Sequence, residues 1–178
     1  GCAGSVGNSA GVQITNENGK CVLRFTNPGV NSWKVPAGVS NVDVLVVGAG
    51  GGAGFDAAGG GGGGSVIEQL SYSVTANSTI QVQVGNGGAT SQVVGGQAED
   101  GQSSLFDSLA APGGGGGGSK NANGRAVSNA SGGGSGHANG GSTSGGSNAS
   151  SATSFAGWKA SSPSMVNIQG TAVQFSYM

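Results

Sequence analysis

Gly59-Gly60-Gly61-Gly62-Gly63-Gly64, repeated as a second six-glycine block at Gly113–Gly118, decides how this chain is read. Glycine loses more backbone entropy on ordering than any other residue, so such blocks are either loose tether or a structure that only glycine can build. The surroundings favour structure, because each block lies downstream of a run that reads as a β-strand. Extended polyproline-II-like segments have no internal hydrogen bonds. Buried amides must be paired, so such segments have to bond laterally to one another at spacings that leave no room for Cβ. That arrangement predicts glycine inside and Ser, Asn or Ala outside.

Composition narrows the class. Of 178 residues 41 are glycine, and Lys, Arg, Asp and Glu together number only 13, giving a formal net charge of -1. Disordered chains are ordinarily rich in charge or proline, and this one has four prolines. Collagen is excluded because glycine does not fall at every third position. The near-zero charge and six scattered basic residues give no reason to expect nucleic acid as partner. No apolar run approaches the roughly 20 residues of a membrane-spanning helix, so no membrane insertion is expected. The length fits one domain, residues 1–178.

Outward from the glycine blocks, period-two patterns dominate. Residues 1–11 are small and polar and read as an N-terminal arm. The β regions fall at 12–47, 65–84, 103–111 and 163–177, and the glycine-rich regions at 48–64 and 112–162. Val12–Thr15 is a short strand ending at the turn Asn16-Glu17-Asn18-Gly19. Cys21, Leu23 and Phe25 share one face of the next strand, and Val44-Leu45-Val46-Val47 reads as a strand buried on both faces. Val66, Glu68, Leu70, Tyr72 and Val74 alternate against polar neighbours, as do Ile80, Val82 and Val84. Ser103–Ala111 reads as a single run, and Val173, Phe175 and Tyr177 share a face of the last strand. No segment carries a helical period. The expected fold is all-β, a jelly-roll-like β-sandwich with glycine-rich polyproline-II or polyglycine-II insertions.

Three strings carry a family resemblance: Phe25-Thr26-Asn27-Pro28-Gly29, Trp33-Lys34-Val35-Pro36-Ala37-Gly38-Val39, and Val44-Leu45-Val46-Val47-Gly48 leading into glycines. Further pieces follow in order: Val82-Gln83-Val84-Gly85-Asn86-Gly87-Gly88, Gly101-Gln102-Ser103-Ser104-Leu105-Phe106, and the closing Gly170–Tyr177. Together they resemble the glycine-rich domain of bacterial surface proteins and phage tail fibres. The resemblance implies a β-sandwich whose excursions are polyglycine-II helices packed side by side, a scaffold that is also similar to glycine-helix bundles of phage tail-tip adhesins and some receptor tyrosine kinase ectodomains. It implies no single activity.

Sites of chemistry are scarce. Gly48-Ala49-Gly50-Gly51-Gly52-Ala53 after a strand imitates a dinucleotide fingerprint, but a helix must follow it and here more glycine follows. His137 stands in a polar stretch with no carboxylate near in sequence. Glu99-Asp100 supplies too few oxygens for calcium, and nothing forms a nucleophile–base–orienter set. The expectation is no enzyme, no cofactor and no metal. Cys2 and Cys21 read as a disulfide, within one chain or between subunits, with unrelated free thiols as the alternative. Phe55, Phe155 and Trp158 stand in glycine-rich or polar surroundings, as plugs of the glycine layer or as exposed anchors for a partner. The leading functional expectation is a secreted, self-assembling filament subunit whose residues 1–15 leave their own domain. Val12 and Ile14 would then fill a neighbour's pockets by strand addition, the other course being that Val12–Thr15 pairs within its own sheet and the first eleven residues are a loose tail. The alternative is a receptor-binding adhesin module of a phage tail fibre or cell surface, with a surface receptor or glycan as partner.

Overall fold

The computed structural model describes residues 2, 4–137 and 172–178. Phe155, Trp158 and the expected strand residues 163–171 lie outside the described residues.

Ten strands build two five-stranded antiparallel sheets. The first sheet has the order β1 (Ser5–Val6), β4 (Gly29–Lys34), β7 (Thr79–Val84), β8 (Ser104–Phe106), β9 (Leu109–Ala111). The second has β2 (Val12–Glu17), β3 (Lys20–Phe25), β10 (Ala172–Tyr177), β5 (Asn41–Val47), β6 (Val66–Ser73). Their facing sides enclose one core, as a β-sandwich requires. Leu23, Phe25, Val44, Val46, Val173 and Phe175 come from one sheet and Trp33, Ile80, Val82 and Phe106 from the other. Phe175 sits at its centre, with ring centroids 4.4 Å from Trp33, 4.9 Å from Phe106 and 5.7 Å from Phe25. Such aromatic contacts add to the area term of a few kcal/mol per buried ring. Among the described residues there is no helix.

The turns follow from local chemistry. Asn18 and Gly19 both have positive φ (53° and 78°) and close the β2–β3 hairpin. That is the two-residue geometry an Asn-Gly pair favours. The last strand, β10, inserts between β3 and β5 and is buried along all six residues.

Four expectations change. The arm expected over residues 1–11 is anchored where it is described, at Cys2 and from Gly4 onward. Cys2 is disulfide-bonded to Cys21 of the same chain, and β1 pairs with β4, Ser5 opposite Lys34 and Val6 opposite Trp33. Val12–Thr15 stays in its own sheet, where Val12 faces Phe25 and Ile14 faces Leu23 across β3. Ser103–Ala111 is a hairpin, β8 and β9, turned at Asp107 (φ 52°) and Ser108. Finally, β6 does not keep one parity. A register shift between Val42 and Val44, with Ser71 at φ 53°, is a bulge. It puts Ile67 and Tyr72 against the main core, leaves Leu70 exposed, and sends Val66 to a separate cluster with Leu45 and Ala172. A bulge inserts one unpaired residue and so reverses the alternation on either side of it.

Candidate functional site

The described parts of the glycine-rich segments leave the sandwich at one end, where β5, β7 and β9 finish and β6, β8 and β10 begin. They are neither helix nor strand, and their amides bond sideways. Gly48, Gly51 and Gly54 donate to the carbonyls of Ser65, Gly62 and Gly59. Ser65, Gly62 and Gly59 donate in turn to Pro112, Gly115 and Gly118. Gly114, Gly117 and Lys120 return to Ala49, Gly52 and Phe55, while Gly115, Gly118 and Asn121 reach Ser131, Gly134 and His137. Every ladder steps by three residues. A three-residue turn aims successive donors in three directions, so each segment is bonded to several neighbours at once.

Close approach explains the composition. A Cβ at Gly61 would overlap the carbonyl of Gly51, one at Gly117 that of Gly59, and one at Gly114 that of Gly62. Gly60 is different, for among the described residues nothing lies within 4 Å of where its Cβ would stand. Side chains appear at the margins with bonding roles. The Asp100 carboxylate accepts from the Gly116 amide at 2.9 Å, and Arg125 Nε donates to the Ala98 carbonyl at 2.6 Å.

From the end of β5 the segment Gly48–Phe55 runs on into the bundle. Its far end carries three of the exposed apolar side chains. Phe55 is 43% exposed, Val93 61% and Val94 53%. Lys120 joins them: its amide donates to the carbonyls of Phe55 and Asp56, and its own carbonyl accepts from Gly95. The Phe55 amide donates to Ser119 Oγ at 2.9 Å, and Lys120 Nζ lies 3.7 Å from Asp56. His137 donates its amide to Ala57 at the same end. Phe55 is thus an exposed group at the tip and not a plug within the layer. Val93 and Val94 are new to the site. In sequence they sit in a loose polar stretch, and two adjacent valines without alternation were the one signal available.

The remaining sequence candidates separate. Cys2 and Cys21 lie with β2 and β3, at the end of the sandwich away from the glycine bundle, and Val12 and Ile14 on the edge strand β2. The fingerprint-like Gly48–Ala53 is bonded into the bundle and no helix follows it. Among the described residues no group of three His, Cys, Asp or Glu could hold a metal ion. Burial pushes the Tyr177 phenol above its ordinary range.

Two packed antiparallel sheets with a laterally bonded glycine bundle at one end define an all-β fold whose distinguishing part is built from backbone. The chain belongs to the glycine-rich domain family, whose model matches residues 26–175. No curated protein matches the sequence.

Proposed function

We propose that this chain is an extracellular binding module in which the glycine bundle, a stack of polyglycine-II helices, is a rigid spacer presenting its tip to a cell-surface receptor. The observation that carries the reading is the tip itself. Phe55, Val93 and Val94 stand exposed beside the Asp56–Lys120 pair, on a base whose amides are tied by lateral bonds. Apolar anchors on a pre-ordered base lose little entropy on docking. The Cys2–Cys21 disulfide supports an oxidising, extracellular setting, on a cell surface or a virion tail.

The rival reading is a self-assembling filament subunit joined by donation of residues 1–15. It would require breaking the β2–β3 ladder and drawing an anchored arm away from β4. One experiment separates the two. Fluorescently labelled protein is applied to a panel of intact bacterial cells, alongside a triple variant Phe55→Ser, Val93→Ser, Val94→Ser, and both are imaged by electron microscopy. The binding reading expects discrete particles, decoration of some cells by the parent, and loss of decoration at unchanged melting temperature in the variant. Regular polymers from both proteins, with no tip-dependent decoration, would replace it with the filament reading.

A further inference from the structure

We propose that the outer edge of β2 is a self-pairing edge, on which a second copy of this chain docks antiparallel about a two-fold axis at Ile14. This is independent of the tip and needs no strand to leave its domain.

The four sheet edges are not protected alike. Exposed edges carry unpaired amides and carbonyls, and proteins blunt them by shortness, bulges or charge. Edge strand β1 has two residues and β9 three. Edge strand β6 is long but bulged, and it carries Glu68. Edge strand β2 has six residues, an unbroken register with β3, and neither charge nor proline from Val12 to Asn16. Among the described residues it is the one long, regular, undefended edge.

Its register says which groups are free. Thr26 donates to the Gly11 carbonyl at 3.0 Å, and Glu17 faces Lys20 across the hairpin turn. Hydrogen-bonded pairs alternate along an antiparallel ladder. Gly11, Gln13, Thr15 and Glu17 therefore turn their backbone groups toward β3, and Val12, Ile14 and Asn16 turn theirs outward. The Val12 amide is already taken by the Ser9 carbonyl at 3.1 Å. Among the described residues the free set is the Val12 carbonyl and both groups of Ile14 and Asn16.

An antiparallel copy matches that set. With the axis at Ile14, the two Ile14 residues exchange both bonds, and each Asn16 amide meets the other copy's Val12 carbonyl. Side chains match as well: Ile14 meets Ile14, Gln13 meets Thr15, and no charges are opposed. Ile14, 46% exposed in the single chain, gains an apolar partner. Aliphatic cross-strand pairs stabilise a sheet and like charges directly opposite destabilise it. Self-complementarity is what selects a second copy over an unrelated strand.

Sedimentation velocity over a concentration series tests this. The parent chain should pass from monomer to dimer. Ile14→Lys and Ile14→Glu, each placing like charges on the axis, should each raise the dissociation constant about tenfold or more at unchanged melting temperature. Mixing the two variants should restore the dimer, while Leu70→Lys on β6 should leave it intact. A parent chain that stays monomeric throughout would overturn the proposal. So would a dimer indifferent to Ile14→Lys, one equally lost with Leu70→Lys, or a pair of Ile14 variants that does not re-form on mixing.

Discussion

The sandwich and the glycine bundle solve the same problem by opposite means. In the sandwich the backbone bonds lie within each sheet, and cohesion between sheets comes from side chains, with Phe175, Trp33 and Phe106 interlocked at the centre. In the bundle there are almost no side chains to pack, and the lateral amide–carbonyl bonds are themselves the cohesion between segments. The first tolerates a change of backbone neighbour but not the loss of a ring. The second tolerates no added carbon at a crowded glycine and has no side chain to lose. A rigid extension with little charge and little apolar core becomes possible, which suits a spacer.

The largest expected effect lies on the sandwich side. Phe175→Ala removes the ring shared by Phe25, Trp33 and Phe106 and should cost about 3–5 kcal/mol, read as a drop in the denaturation midpoint at unchanged slope. If the bundle drew its stability from its own bonds alone, glycine amide exchange would stay slow while the sandwich opened. Because five strand ends (those of β5, β6, β7, β8 and β9) run into the described glycine-rich segments, both regions should lose protection together. Next comes the disulfide. Replacing Cys2 and Cys21 by serine together opens a loop of sequence separation 19 and should cost about 3 kcal/mol in thermal unfolding. That change should release β1 from β4, and because the bundle opens with the sandwich its cost should appear in the bundle's slowest amides as well as in the sheets.

The smallest effect is a pH dependence confined to the sandwich. The Tyr177 phenol is raised by burial, so the folded state holds its proton to higher pH than the unfolded chain does. Its contribution is fully present below the unfolded value of about 10 and is lost as pH rises through the folded value. Thermal melts should therefore show stability falling above about pH 10, and Tyr177→Phe should flatten that limb.

The sandwich strands were legible wherever side chains alternate. Cys21–Phe25, Ile80–Val84 and Val173–Tyr177 show their inward faces directly in sequence. Alternation failed where the backbone departs from regularity. The bulge beside Asp43, whose carboxylate accepts from the Ser71 amide at 2.9 Å, reverses β6 without any apolar signal. Asp107-Ser108 turns a hairpin without the glycine that usually marks one. The bundle was legible as a requirement, because extended glycine must bond laterally, but its register was not. Six identical residues carry no pattern, and which carbonyl each amide meets is set by where the strands deliver the segments. The tip was half legible: Phe55 stands out among glycines, whereas Val93 and Val94 are joined to it only through Lys120 in space. The anchoring of Cys2 and Ser5–Val6 was hidden for a related reason, since β1 is two residues long and has no periodicity to read.

The central claim is that the glycine bundle is a close-packed solid of backbone and not a tether, and two neighbouring glycines test it most directly. Neither Gly60 nor Gly61 has a left-handed backbone, and they differ in space: Gly60 is open, whereas a Cβ at Gly61 would overlap the Gly51 carbonyl. Thermal unfolding of Gly60→Ala and Gly61→Ala should diverge. Gly60→Ala should be neutral or stabilised by about 0.4–1 kcal/mol through the unfolded chain, and Gly61→Ala should lose about 1–3 kcal/mol to overpacking. Equal melting temperatures for the two variants would contradict the account.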